Sequence, residues 1–151
     1  ERNHEVLERQ IQRSDLGFTS LFRAEPHVFV NAEHPLAGRE CVTLDDLDDY
    51  PYLSYEQGDF NSFYYSEELL STLDRRKNIR VRDRATLFNL LIGLDGYTVC
   101  SGVISHELNG PSIISIPLDV DEYMQIGYIT RKNTSLSRYG RAYVEALQRH
   151  I

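Results

Sequence analysis

The chain has 151 residues, 41% of them hydrophobic, 26% charged, with nine glycines and five prolines, which suits a folded domain with a real core and excludes disordered, collagen-like and disulfide-dense classes. Sixteen Lys and Arg against 23 Asp and Glu leave a formal charge of -7, a balance that repels a phosphate backbone, so this chain by itself is not expected to bind DNA. No run reaches the roughly 18 apolar residues of a membrane helix, and the first residues carry no signal-peptide pattern, so a soluble, cytoplasmic protein with no membrane partner is expected.

In chain order, Val6, Leu7 and Ile11 fall at helical spacing over residues 3–13, predicting a short amphipathic helix. Asp15-Leu16-Gly17-Phe18-Thr19-Ser20 predicts a buried strand ending in small polar residues, and His27-Val28-Phe29-Val30-Asn31 a second strand. Pro26 and His34-Pro35-Leu36-Ala37-Gly38 are turn chemistry, because proline fixes φ and restricts the residue before it. Thr43 followed by acids suits a short helix over 43–47.

Pro51-Tyr52-Leu53-Ser54-Tyr55 predicts a strand running into the polar loop Glu56-Gln57-Gly58-Asp59, with a helix over about 60–74. Ile79-Arg80-Val81-Arg82 alternates like a half-exposed strand, Asp83 is placed to cap a helix through Ile92, and Gly93 to stop it. Tyr97-Thr98-Val99-Cys100 ends at Ser101-Gly102, two further strands cover 113–118 and 123–129, and a last helix begins near Ser135 or Ser137 and runs to Arg149. Strands interleaved with helices predict an α/β fold with largely parallel sheets, in which ligands bind beyond the carboxyl ends of strands.

No local signature of catalysis occurs: GxSxG, HExxH, GxxxxGK[ST] and GxGxxG are all missing, so no catalytic residue, no metal and no cofactor is expected. His4, His27, His34, His106 and His150 are scattered, with no pair on one helical face. Cys41 and Cys100 lie far apart and read as reduced, small buried hydrophobes. Arg75, Arg76, Lys77, Arg80, Arg82 and Arg84 form the one strongly basic run; the alternation of Arg80 and Arg82 with Ile79 and Val81 places those two on a solvent face. What remains are hydroxyls and backbone donors at strand ends: Thr19, Ser20, Ser54, Tyr55, Gln57, Thr86, Ser101 and Gly102. Beside a helix N-terminus such groups hold a small anion, while taken singly they serve equally well as caps and turn residues.

The order of elements resembles the effector-binding domain of LysR-type transcription regulators. The similarity is carried by Glu5-Val6-Leu7-Glu8-Arg9-Gln10-Ile11 with Asp15-Leu16-Gly17-Phe18, by His34-Pro35-Leu36-Ala37 with Leu44-Asp45-Asp46-Leu47 and Tyr50-Pro51-Tyr52-Leu53, by the stretch from Thr86 through Gly93 to Thr98, and by a closing helix between Leu136 and Leu147. The chain departs from the family where Ile92-Gly93-Leu94-Asp95-Gly96-Tyr97 replaces a longer V-x-x-G-x-G-I turn and Cys100-Ser101-Gly102 replaces a frequent proline, so the ligand loop reads as specialised.

The resemblance implies a two-lobed fold of the type 2 periplasmic-binding-protein kind, its first lobe truncated at the N-terminal side: 1–31 the end of lobe one, 32–114 lobe two, 115–151 the return strand and closing helix. It further implies a small, anionic effector bound between the lobes, with Thr19 and Ser20 on the first-lobe side, Ser54, Tyr55, Gln57 and Thr86 on the second, and Ser101-Gly102 at the floor. DNA would be bound only by a winged helix-turn-helix outside this sequence, in a homodimer or homotetramer. A stand-alone solute-binding protein and a dehydratase-like enzyme are the alternatives on the same scaffold; for the enzyme, Glu56 and Asp59 are the acids in reach of the loops.

Overall fold

The computed structural model describes residues 8, 9, 11, 13–56, 69, 70 and 73–149. Most of the helices expected over 3–13 and 60–74, together with Gln57 and Asp59, lies outside the described residues. The chain forms two compact units, Glu1–Arg23 with Gln125–Ile151, and Ala24–Met124.

In the second unit the strands are β2 (His27–Asn31), β3 (Tyr52–Tyr55), β4 (Asn78–Val81), β5 (Thr98–Cys100) and β6 (Ile113–Pro117), and the helices are α1 (Arg84–Gly93) and the single turn α2 (His106–Asn109). Val28, Phe29 and Val30 of β2 are all buried, as expected of a strand covered on both faces. It sits between β5 and β6 and runs antiparallel to both, with Val28 opposite Val99 on one side and Ile116 on the other. The largely parallel sheet expected from sequence is therefore corrected: among the described residues of the second unit, β3 and β4 pair as parallel strands, Leu53 opposite Ile79, and β5 joins β3 through a parallel bridge between Tyr52 and Tyr97. Periodicity identifies a strand but not the direction of its partner, and β2 finds partners about 70 and 85 residues away, counted from the same register pairs.

Alternation along the strands sends side chains into two cores. Val28, Val30, Tyr52, Tyr97, Val99 and Ile116 meet Leu36, Val42, Leu47 and Leu118 in one. Phe29, Leu53, Val81 and Ile113 meet Leu87 and Leu91 of α1 in the other. Leu87 and Leu91 stand four residues apart and so share one helical face. Asp83 caps α1 as expected, its side chain accepting from the Thr86 amide; Gly93 is the last helical residue, and the reversal falls on Leu94 and Asp95, the latter at φ 48°. Only Asp45–Leu47 of the expected helix over 43–47 is helical, as a 3-10 turn.

His34 is 3% exposed, with both ring nitrogens engaged: the Leu36 amide donates to Nδ1 at 3.1 Å, and Nε2 donates to the Asp95 carbonyl at 3.0 Å. The two bonds fix a neutral tautomer and tie the turn after β2 to the turn after α1.

The first unit holds β1 (Leu16–Ala24), paired with β7 (Met124–Arg131) in a two-stranded sheet, and helix α3 (Arg138–Gln148), whose N-cap Ser137 accepts from the Gly140 amide at 3.1 Å. Gly127 is required where β7 passes β1, since a Cβ there would overlap the Thr19 carbonyl and the Phe18 ring. The buried strand expected at Asp15 to Ser20 is instead half-exposed, and no described residue of 8–23 or 125–149 is buried.

The compact units divide at Arg23 and Met124. The reason is hydrogen bonding: β2 and β6 are paired along their length, so both belong with the second unit.

Candidate functional site

Because β3, β4 and β5 run in the same direction, their carboxyl ends, Tyr55, Val81 and Cys100, open on one edge of the second unit. α1 begins three residues beyond β4, so its N-terminus lies at that edge as well. β2 runs the opposite way and is paired with β5, which brings its first residue, His27, opposite Cys100. Strand carboxyl ends meeting a helix N-terminus are where open α/β sheets place ligands.

The expected residues distribute as follows. Tyr55 is half-buried at the end of β3, packed against the α1 core. Ser54 is 4% exposed, and its hydroxyl donates to the Asn78 side-chain oxygen at 3.4 Å. Strand alternation turns it to the sheet face opposite Tyr55. Thr86 is exposed on the first turn of α1; its hydroxyl and amide both donate to the Asp83 carboxylate, each at 2.8 Å. Those bonds hold the Asp83 carboxyl below the usual carboxylate range, the Thr86 amide contributing most. The helix amide expected to receive an anion is thus taken by the protein's own carboxylate.

Ser101 and Gly102 form the turn after β5. Gly102 sits at φ 79°, which favours glycine, and Ser101 Oγ accepts from the Val103 amide at 3.4 Å. The half-buried Cys100 thiol anchors this turn, donating to the His27 carbonyl at 3.6 Å. Burial pushes the thiol pKa up to about 12, partly offset by the backbone at Gly102 and Phe29 and by the charge of Arg84. Cys100 is therefore a structural thiol. Cys41 departs from expectation: it is exposed rather than buried.

Thr19 and Ser20 lie on β1 of the first unit, both exposed. Gln57 lies outside the described residues. Glu56 is exposed and ion-paired with Arg82, which holds its carboxyl below the ordinary range through a side-chain hydrogen bond. It is not the buried, catalytically partnered acid that an enzyme reading needs. Among the described residues no group of three His, Cys, Asp or Glu is placed to hold a metal ion.

The basic run is largely spent on packing. Arg75 lies 3.8 Å over the Tyr52 ring and donates to the Leu70 carbonyl at 2.6 Å and the Tyr97 hydroxyl at 3.0 Å; Lys77 donates to the Asp49 carbonyl at 2.6 Å; Arg84 lies 4.5 Å over Phe88. Arg80 and Arg82 are exposed, as the alternation implied. His27 was missed from sequence, where it appears only as the first residue of an apolar strand; the antiparallel register that carries it to the edge is a tertiary fact.

The fold is mixed α/β, of the type 2 periplasmic-binding kind. The chain belongs to the LysR substrate binding domain family, whose model matches residues 6–151. Among solved structures it is similar to a LysR family regulator from Pseudomonas aeruginosa (15% identity, TM-score 0.62, covering 90% of this chain and 48% of that one). It is also similar to the effector binding domain of QuiR in complex with shikimate (19%, 0.57, 90% and 65%) and to the CcmR regulatory domain of Synechocystis PCC6803 in complex with 2-PG (18%, 0.60, 97% and 79%). The chain spans about half the length of the first of these regulators. No sequence match is found among curated proteins. No helix among the described residues is long and apolar enough to cross a membrane.

Proposed function

We propose that this chain is the effector-sensing part of a LysR-type transcription regulator and that a small polar metabolite binds at the edge where β3, β4 and β5 end. The observation that carries the reading is the convergence of those three parallel carboxyl ends with the N-terminus of α1 and the Ser101-Gly102 turn. The bound shikimate and 2-PG of the two similar effector domains support it by analogy of fold. An acidic group on the effector is drawn by Arg84, the first residue of α1, whose charge also reaches the Cys100 thiol; the first-turn amide of Thr86 is already occupied by Asp83. Tyr55, Thr86 and Ser101 supply polar contacts. Effector binding then shifts the equilibrium between arrangements of a homo-oligomer whose DNA contacts lie in a winged helix-turn-helix outside this sequence.

Thermal-shift screening of the intact protein against hydroxy acids, amino acids, phosphorylated acids and sugars tests the reading. A ligand at about a hundred times its dissociation constant stabilises by ~2.7 kcal/mol. A saturable shift abolished by Ser101→Ala establishes the site; a saturable shift untouched by Ser101→Ala, Thr86→Ala and Arg84→Ala places binding elsewhere.

A further inference from the structure

The edge carries one titratable ring that neither motif nor family resemblance assigns. His27 opens β2 and stands opposite Cys100 in the antiparallel register. Its imidazole lies against the Ser101-Gly102 turn so closely that a Cβ on Gly102 would sit 2.7 Å from the ring Cγ and 2.8 Å from Nδ1. Gly102 thus leaves room for this ring, beyond meeting the demand of its positive φ. The ring orientation is set from the other side: Nδ1 lies 2.9 Å from the Glu25 carbonyl oxygen. A carbonyl only accepts, so Nδ1 carries the proton and Nε2 of the neutral ring presents a lone pair. Among the described residues Nε2 has no hydrogen-bond partner, in contrast to His34, where both nitrogens are engaged.

We infer that His27 is an effector-contacting residue, its Nε2 accepting a hydrogen bond from a hydroxyl or ammonium group of the metabolite held at the Ser101-Gly102 turn. The inference rests on the proposed effector site and deepens it. The Thr86 hydroxyl already spends its proton on Asp83 and the Ser101 hydroxyl accepts from the Val103 amide; a directed imidazole nitrogen adds an acceptor that selects for a donor-bearing effector. Together with Arg84, it favours a hydroxy or amino acid over a simple carboxylate.

The test uses the intact protein with shikimate, L-serine, citrate and D-glucose as probes. A probe that stabilises the wild type is expected to bind about tenfold more weakly to His27→Ala, the size of one lost hydrogen bond, with part of the affinity restored in His27→Gln. Independently of any probe, diethylpyrocarbonate is expected to acylate His27 and to spare His34, mapped by mass spectrometry. Resistance of His27 to acylation, or probe affinity unchanged in His27→Ala and His27→Gln while Ser101→Ala abolishes binding, overturns the role of His27 and leaves the site standing. If no probe stabilises the wild type, the effector-site reading and the His27 assignment fall together.

Discussion

The two compact units are held together by different means. In Ala24–Met124, strands drawn from distant parts of the sequence bury Val28, Val30, Leu53, Leu87, Leu91 and Ile113 to within 1% of full burial. In Glu1–Arg23 with Gln125–Ile151, one two-stranded sheet and one helix leave Tyr139 77% and Tyr143 66% exposed, and no described residue is buried. A two-stranded sheet is marginal unless something packs against it, whereas a strand such as β2, buried on both faces, draws on apolar area from the whole unit. The cored unit also fixes the geometry of the β3–β4–β5 edge.

Substitutions of graded severity sharpen that contrast. Leu91→Ala, which opens a cavity beneath α1, is expected to cost about 2–5 kcal/mol, measured by chemical denaturation; a loss below about 1 kcal/mol breaks the claim that α1 is anchored in a packed core. His34→Ala leaves the Leu36 amide and the Asp95 carbonyl without their buried partner and should cost about 1–3 kcal/mol, with faster hydrogen exchange concentrated at the turns it joined. Tyr143→Ser, on the exposed face of α3, should change stability by no more than about 0.5 kcal/mol; a much larger loss would mean that this face is covered in the intact protein.

The smallest effect is electrostatic. Asp83 has a carboxyl pKa lowered by its bonds to Thr86, so its stabilisation of the folded state is present above the unfolded value of 3.8 and is lost as pH falls through the lower folded value. The difference in thermal midpoint between wild type and Asp83→Ala should therefore shrink on acidification across that window. A difference independent of pH there would show that the cap contributes through geometry alone.

Most elements were legible in the sequence because their signals are local. The apolar run from His27 to Asn31, the Asp83 cap and the alternation at Ile79-Arg80-Val81-Arg82 each specify backbone through neighbouring residues. The family was legible from short motifs in order, His34-Pro35-Leu36-Ala37 above all, and His34 proves to be the buried tie between two turns. The strand-end residues Tyr55, Thr86, Ser101 and Gly102 were legible as an edge because chain order alone places them after strands or at a helix start.

What sequence could not decide is what depends on partners remote along the chain. Direction of pairing is one such property: β2 runs antiparallel to both neighbours, because register and direction are set by which apolar faces meet and not by the strand's own residues. The engagement of donors is another. Ser54 is buried beside Asn78 and the Cys100 thiol donates to the His27 carbonyl, each fixed by a neighbour brought close only on folding. His27 is the sharpest case, since only the antiparallel pairing with β5 carries it from the start of an apolar strand to the turn at Gly102. The sequence by itself determined the α/β class, the order of elements and the family, through short-range pattern. Tertiary structure alone decided which polar groups remain free at the edge, because hydrogen-bond satisfaction depends on three-dimensional proximity.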